Sequence, residues 1–117
     1  MHKGFIIVAA LSGALSVALG AFGAHALRGT LAAHDTTEVW KTAVLYHFLH
    51  ALALLVLAAL PNVSRLVSSL FVVGIILFSG SLYLLALTNI RWLGTITPLG
   101  GLCFLAGWLA LIVWPSR

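Results

Sequence analysis

Charged residues are scarce in this sequence, and their scarcity excludes several classes of protein. They make up 7% of the 117 residues, against 62% hydrophobic residues. The only carboxylates, Asp35 and Glu38, are three residues apart at a predicted helix start, where capping explains them better than acid–base catalysis does. The six Lys and Arg residues are scattered singly and form no basic patch, so we expect no nucleic-acid partner.

Cysteine is nearly absent as well. Cys103 is the single cysteine, which excludes an intramolecular disulfide and any cysteine-rich metal motif. The sequence also contains no nucleophile elbow, no phosphate-binding glycine loop before a basic residue and no HExxH motif. We therefore expect that the protein is not an enzyme and that it has no cofactor and no metal site.

Long hydrophobic runs are what the sequence has in abundance. Four of them, near residues 4–27, 36–60, 65–88 and 93–114, are separated by short polar segments. A helix of about 20 apolar residues crosses the roughly 30 Å hydrocarbon core of a bilayer, so each run is long enough to span it. The sequence therefore predicts an all-α membrane protein, with residues 1–117 forming a single domain of four transmembrane helices in an antiparallel up-down bundle.

Two helix starts carry recognisable capping patterns. In "DTTE", Asp35 is the expected N-cap and Glu38 its capping-box partner, so the second helix is expected to begin near Thr36. Thr97 before Pro98 is typical of an N-cap followed by proline at the first helical position. The fourth helix is therefore expected to become regular only there, after a lead-in at the membrane interface.

Tryptophan favours the membrane–water boundary, so its positions indicate the register of the helices. Trp40 and Trp92 fall at one predicted boundary and Trp114 at the other, whereas Trp108 lies deeper and is expected to pack against protein. Three Lys or Arg residues lie on each side, so charge leaves the orientation open. The free amino terminus favours the orientation with both termini in the cytoplasm.

The first run has a rival interpretation as a secretory signal. Lys3 precedes the apolar stretch, and "AHA" at Ala24 to Ala26 imitates a cleavage site. A signal core is typically about 7–15 residues long, however, and this run stays apolar up to that site. We expect the run to be retained as a transmembrane helix.

Small residues recur at helical spacing in three of the runs, and such rows let helix backbones approach closely. The rows expected to pack are Ser12, Ser16, Gly20 and Ala24 in the first run, Gly74, Ser81 and Thr88 in the third, and Gly100, Cys103, Gly107 and Ala110 in the fourth. We expect a tight bundle held by dispersion contacts and by occasional interhelical hydrogen bonds worth about 0.6 kcal/mol each.

The second run contains polar side chains at a depth where they are costly and often functional. Tyr46, His47 and His50 share one broad helix face, because they are spaced three and four residues apart. A rise of about 1.5 Å per residue from the predicted boundary places the two histidines roughly 10 Å and 15 Å deep. The expected partners are the hydroxyl-bearing residues of the third run, Ser79, Ser81 and Tyr83.

Three interpretations of this polar stripe remain open. Neutral histidines hydrogen-bonded across the bundle would fix the helix register, whereas histidines in a polar cavity would bind a ligand or handle protons. The third interpretation is a haem or metal role; haem ligation by two histidines would need His25, the other imidazole near a membrane helix, which lies several ångströms shallower than His47. His34 lies in the polar loop beside Asp35 and is expected to be solvated.

Four sequence blocks together resemble a known family. They are "GAFGAHALRG", "WKTAVLYHFLHALALL", "LFSGSLYLLALT" and "LGTITPLGGLCFLAGWLAL", and their order and spacing are similar to those of the YgdD family of small bacterial inner-membrane proteins, which has small eukaryotic transmembrane relatives. The resemblance spans nearly the whole chain and implies a four-helix protein of the inner membrane. The family's function is unknown, so the resemblance implies no catalytic residue, substrate or cofactor.

Two functions are compatible with these observations. We favour a structural or interaction module, surrounded by lipid, that acts through helix contacts in a homo-oligomer or in a larger membrane complex, because the loops are short, small-residue rows are abundant and catalytic motifs are lacking. The alternative is a small transporter, or a ligand- or proton-handling protein, that uses Tyr46, His47 and His50.

Overall fold

The protein is a series of helices with no strand among residues 3–113, the part of the chain that the structure, a computed structural model, describes. A π-helical segment joins α4 to α5, and a 3-10 segment leads into α6. The elements are α1 (Lys3–Ala24), α2 (Arg28–Ala33), α3 (Thr37–Ala59), α4 (Arg65–Gly74), the π segment (Ile75–Ser79), α5 (Gly80–Thr88), the 3-10 segment (Arg91–Thr95) and α6 (Thr97–Val113).

Four helical stretches of the described chain are long and apolar enough to cross a membrane. They are Lys3–Ala24, Thr37–Ala59, Arg65–Thr88 and Arg91–Val113, called here the first to fourth spans, and each has 22 to 24 residues. Short connections between them give the up-down order. The predicted class, an all-α membrane protein with four spans, is confirmed.

The second span occupies the centre of the bundle. The first span packs mainly on α3, the third span packs on α3 from another side, and α6 packs mainly on α4 and the π segment. Only 11% of the apolar window of the first span is buried inside the protein, against 39% for the second span. The first span is therefore attached largely through one neighbour, and most of its surface faces outward.

Two clusters of buried side chains form the core. The larger cluster joins all four spans and includes Ala9, Leu54, Phe71 and Phe104. The smaller one lies where α2, α3 and α5 meet and consists of Leu31, Trp40 and Ala86. The second cluster therefore holds α2 against α3 and α5.

Helix α2 was not predicted from the sequence. The first helix was expected to run to residue 27, but it ends at Ala24, where the chain turns and the Leu27 N–H donates to the Phe22 carbonyl at 2.9 Å. After this turn, Arg28–Ala33 form α2 and bury the Leu31 side chain, which is 1% exposed, against Trp40. One leucine in an otherwise small and polar segment is too weak a pattern to predict this helix.

The predicted capping box at the start of α3 is wrong. Asp35 has a left-handed backbone with φ of 55°, and the residue in the N-cap position is Thr36, whose side chain forms no cap hydrogen bond. The Thr36 hydroxyl is fully buried and donates to the carbonyl of Ala86 at 2.9 Å. Glu38 is exposed beside Lys41, with 3.6 Å between carboxylate and ammonium. A buried hydroxyl must find an acceptor, and the tertiary contact supplies one.

Local signals determine the ends of the third span. Ser64 is the N-cap, and its Oγ accepts the backbone N–H of the residue two positions later at 3.2 Å. Asn89 ends the span in a left-handed conformation with φ of 58°, and its N–H donates to the Leu85 carbonyl at 2.7 Å. In the fourth span, Thr97 is the first residue of α6, and its hydroxyl hydrogen-bonds to Ser81 at 2.6 Å rather than serving as an N-cap.

Most of the predicted small-residue rows lie at helix contacts within the protein. Gly74, Gly100 and Gly107 are buried, and a Cβ atom added at Gly100 would lie 2.7 Å from the Cα of Phe78, inside van der Waals contact. At Gly107 the added atom would meet the ring of Phe71 at 2.5 Å. Cys103 and Ala110 are half-buried, and Ser81 is buried, but Thr88 is exposed.

The row of the first span faces the second span along most of its length. Ser16 is fully buried, and a Cβ added at Gly20 would lie 3.3 Å from Val44 of α3. Ser12 reaches the same helix through a hydrogen bond to His47. Ala24, the last member of the row, is exposed, because the chain turns away after it towards α2.

Candidate functional site: two buried histidine clusters

His47 connects three spans through its two ring nitrogens. The side chain is 2% exposed. Its Nδ1 lies 2.8 Å from the hydroxyl of Tyr83 on α5, and its Nε2 lies 3.0 Å from the hydroxyl of Ser12 on α1. A hydroxyl both donates and accepts, so these partners accommodate the imidazole proton on either nitrogen. The contacts fix His47 in place without fixing its tautomer.

His50 connects the second span to the fourth. Its Nδ1 lies 2.8 Å from the carbonyl oxygen of Tyr46, and its Nε2 lies 3.0 Å from the indole nitrogen of Trp108. A carbonyl only accepts and an indole N–H only donates, so Nδ1 carries the proton and Nε2 accepts. The two contacts therefore select one neutral tautomer, because a proton on Nε2 would face the indole N–H.

Aromatic rings enclose His50 on its remaining sides. The imidazole stacks on Phe104 with the ring centres 3.6 Å apart and the planes at 10°. Phe71 and Trp108 approach it at steeper angles, with centroid distances of 5.2 Å and 5.9 Å. The side chain is 5% exposed. These contacts account for both nitrogens and the ring face, and they leave no polar atom of His50 directed towards a ligand.

The single polar stripe predicted for the second span is divided in the structure. His47 faces the first and third spans, whereas His50 faces the fourth. Three residues of helix rotate a side chain by about 300°, so the two positions differ by about 60° around the helix and meet different neighbours. Tyr46 belongs to the second group: it is 39% exposed, and its ring packs against Phe78 at a centroid distance of 4.7 Å.

Of the three hydroxyl residues expected to bind the histidines, only Tyr83 does so. Ser79 is fully buried and donates to the carbonyl of Ala43 on α3 at 2.8 Å. Ser81 donates to the carbonyl of Phe78 at 2.9 Å and also contacts the fourth span through Thr97. These serines join helices directly and take no part in the histidine contacts.

The two remaining described histidines lie outside both clusters. His25 is exposed in the turn between α1 and α2, far in sequence and environment from the buried pair. His34 was expected to be solvated, and that prediction is wrong: it is half-buried, and its Nδ1 lies 3.0 Å from the carbonyl of Ala86. The backbone carbonyl of His34 also accepts a hydrogen bond from Arg91 at 3.1 Å. The polar loop is thus fastened to the end of α5.

Trp40 packs against protein near the start of the second span. Its position at the membrane boundary stays a prediction; the side chain is 3% exposed, and its indole N–H donates to the Leu19 carbonyl of the first span at 2.9 Å. Its ring packs against Tyr83 with 4.8 Å between centroids. Trp92 is 65% exposed, its boundary position stays a prediction, and Trp114 lies outside the described residues.

Hydrogen bonding within the described chain is complete where side chains are buried. No buried side-chain nitrogen or oxygen among residues 3–113 is left without a partner. The same residues contain no cluster of three or more His, Cys, Asp or Glu side chains able to hold a metal ion. Ser12 and Trp108 were predicted only as helix-packing residues. Each carries a polar hydrogen at about the depth of a histidine, and this feature could have identified them as hydrogen-bond partners of His47 and His50.

A groove lies beside His47, between the first and third spans. Its volume is about 380 Å³, and most of its walls are apolar. Three of its lining residues are the hydrogen-bonded group itself, Ser12, His47 and Tyr83. The His47 cluster is therefore next to a surface groove, whereas His50 is enclosed by aromatic rings.

Together these features define a small multi-pass membrane protein whose buried polar groups connect its helices. The chain matches the family described as "Protein of unknown function (DUF423)" over residues 19–101, and it belongs to that family. This confirms the resemblance to a family of small membrane proteins of unknown function.

Several named relatives are similar over nearly their whole length. The chain is 47% identical over 115 residues to the UPF0382 membrane protein SH2409 of Staphylococcus haemolyticus, covering 95% of this chain and 93% of the relative. It is 46% identical over 117 residues to the UPF0382 membrane protein YwdK of Bacillus subtilis, covering 95% and 94%. No solved structure matches the chain.

Proposed function

We propose that this protein is a non-enzymatic interaction module of the membrane, a stable helical unit that presents its first span to another transmembrane helix. The observation that carries the proposal is the unequal burial of the spans. The first span has one principal neighbour, α3, and only 11% of its apolar window is buried inside the protein. A helix attached on one side retains a long face for a second contact.

The composition of that outer face supports a helix as its partner. Ala10, Ala14 and Ala18 recur every fourth residue and are all exposed, and a Cβ added at Gly13 would have no neighbour within 4 Å. The row predicted from the sequence, which begins at Ser12, is occupied by α3. A second row of small residues offers the close backbone approach that drives helix association in lipid.

The buried polar groups support a structural role rather than a catalytic one. His50 is held in a single neutral tautomer by one acceptor and one donor, and both ring nitrogens of His47 have hydroxyl partners. Hydrogen bonds between helices fix their register and rotation. On this proposal the histidines make the unit rigid, and contacts on the outer surface provide its activity.

Cysteine cross-linking in native membranes tests the proposal. In a chain with Cys103→Ala, a cysteine at position 14 is compared with one at position 76, because Ala14 and Ile76 are both exposed but belong to different spans. We expect a cross-linked product from position 14 alone. A product at twice the chain mass of 12.4 kDa indicates a second copy, and any other mass indicates another membrane protein. Equal cross-linking at both positions, or none at position 14, would refute the proposal.

A second candidate function, ligand or proton handling at His47, is favoured by one observation. His47 lines the groove between the first and third spans, and its hydroxyl partners accommodate its proton on either nitrogen. Proton flux into vesicles containing the purified protein tests this function. If His47 handles protons, the flux should be lost in His47→Gln and kept in Ser79→Ala. The second variant is the control, because the buried Ser79 hydroxyl donates to the Ala43 carbonyl and does not contact His47. No flux above that of empty vesicles would exclude proton conduction by the isolated protein.

A further inference from the structure

A larger groove lies on another side of the first span, bounded by α1, α2 and α3. Its volume is about 730 Å³. Much of its wall is built from small or aliphatic residues, among them Val17, Gly20, Ala21, Val44 and Leu45, and Phe48 lies at its deeper end. Such a surface accommodates a hydrocarbon chain and gives it few polar contacts.

Two cations line this groove as well. Arg28 is at the start of α2, and Lys41 is near the start of α3. Within residues 3–113, Arg28 forms no ion pair, and Lys41 is paired only with Glu38 at 3.6 Å. That pair is largely solvent-exposed, with side chains 68% and 87% accessible, so it is weak and leaves Lys41 available to another anion. Glu38 does not line the groove.

The depth of these groups matches the layers of a bilayer. The first span ends at Ala24 and the second begins at Thr37, so Arg28 and Lys41 lie within about one helical turn of the ends of these spans. Phe48 is seven residues further along α3 than Lys41, a distance of about 10 Å towards the membrane interior. The groove is thus cationic at headgroup level and apolar at acyl-chain level.

We propose that this groove binds one anionic glycerophospholipid from the surrounding membrane. Its phosphate interacts with Arg28 and Lys41, and one acyl chain lies along the small residues of the first span towards Phe48. Charge complementarity favours a lipid with net negative charge over a zwitterionic lipid of the same chain length, because basic residues near a membrane surface attract anionic headgroups.

Lipid binding to the full-length protein, followed by native mass spectrometry from mild detergent, tests this proposal. The probes are phosphatidylglycerol and phosphatidylcholine with identical acyl chains. We expect Arg28→Gln and Lys41→Gln each to weaken phosphatidylglycerol binding about fivefold, which corresponds to about 1 kcal/mol per basic residue. Arg65→Gln is the matched control, because Arg65 is also exposed near a span end but does not line the groove.

A groove-filling variant tests the acyl-chain part separately. Ala21 is exposed and lines the groove, so Ala21→Phe should weaken binding of both lipids without changing the charge. Equal affinity for the two lipids in the unsubstituted protein, or equal losses in Arg28→Gln and Arg65→Gln, would overturn the proposal. Competition by glycerol phosphate at lipid-like concentrations would overturn it too, because it would indicate an anion site that needs no acyl chain.

Discussion

Replacing Gly100 with alanine should weaken the contact between the fourth and third spans, whereas the same change at Gly101 should not. At Gly100 the added Cβ would lie 2.7 Å from the Cα of Phe78, and closer still to its backbone nitrogen. At Gly101 the nearest atoms are ring carbons of Phe78 at 3.8 Å and 4.0 Å, an ordinary van der Waals distance. The two positions are adjacent in α6 and differ chiefly in what the new methyl group meets.

The expected magnitude follows from two opposing effects. Alanine is favoured over glycine within a helix by about 1 kcal/mol, and this gain applies to both variants and cancels between them. Inserting a methyl group into a filled space costs about 1–3 kcal/mol. A backbone atom cannot rotate aside as a side chain can, so we expect Gly100→Ala to be about 2–3 kcal/mol less stable than Gly101→Ala.

Reversible unfolding of the purified protein, from mild detergent into sodium dodecyl sulfate, measures this difference. The two alanine variants and the unsubstituted chain would be followed by tryptophan fluorescence, and their free energies of unfolding compared. Gly101→Ala should be at least as stable as the unsubstituted chain. Equal stability of the two variants would show that the third and fourth spans do not approach as closely at Phe78 as the structure indicates.

Two further substitutions test single hydrogen bonds between spans. Trp108→Phe removes the donor to Nε2 of His50 and should lower the free energy of unfolding by about 1–3 kcal/mol, since it leaves a buried acceptor unsatisfied. If Trp108→Phe causes the same loss in a His50→Leu variant, the hydrogen bond contributes nothing to stability. Trp40→Phe removes the donor to the Leu19 carbonyl, so cleavage by a protease at a site inserted after Ala24 should become faster. Unchanged cleavage would mean that the indole does not hold the first span in place.

The architecture could be predicted because one physical requirement dominates it. Chains in hydrocarbon must satisfy their backbone hydrogen bonds internally, so each apolar run of sufficient length becomes a helix. Local chemistry then determines some of the helix ends, as at Ser64, whose hydroxyl accepts a nearby N–H, and at Asn89, which adopts a left-handed conformation. Such features depend on a few neighbouring residues and can be recognised without knowledge of the fold.

The errors concern residues whose partners are distant in sequence. Asp35 has the better N-cap side chain, but the Thr36 hydroxyl is buried beside the Ala86 carbonyl, fifty residues away, and the backbone conformation accommodates that contact. Trp40 was predicted only as a residue of the membrane boundary, and the hydrogen bond from its indole to the Leu19 carbonyl of the first span was not predicted. The hydrophobic periodicity of a sequence does not predict such an acceptor, because its position relative to the donor depends on how the two helices are rotated about their axes.

The two buried histidines show how partner chemistry separates residues that look equivalent in sequence. His50 faces one obligate acceptor and one obligate donor, so its tautomer is determined and a second proton would remove the hydrogen bond from Trp108. His47 faces two hydroxyls, which can reverse their roles in concert when the imidazole proton changes nitrogen. If one of the two buried histidines of this protein moves a proton, it is therefore His47, and an effect of substituting His50 would reflect lost packing between the second and fourth spans.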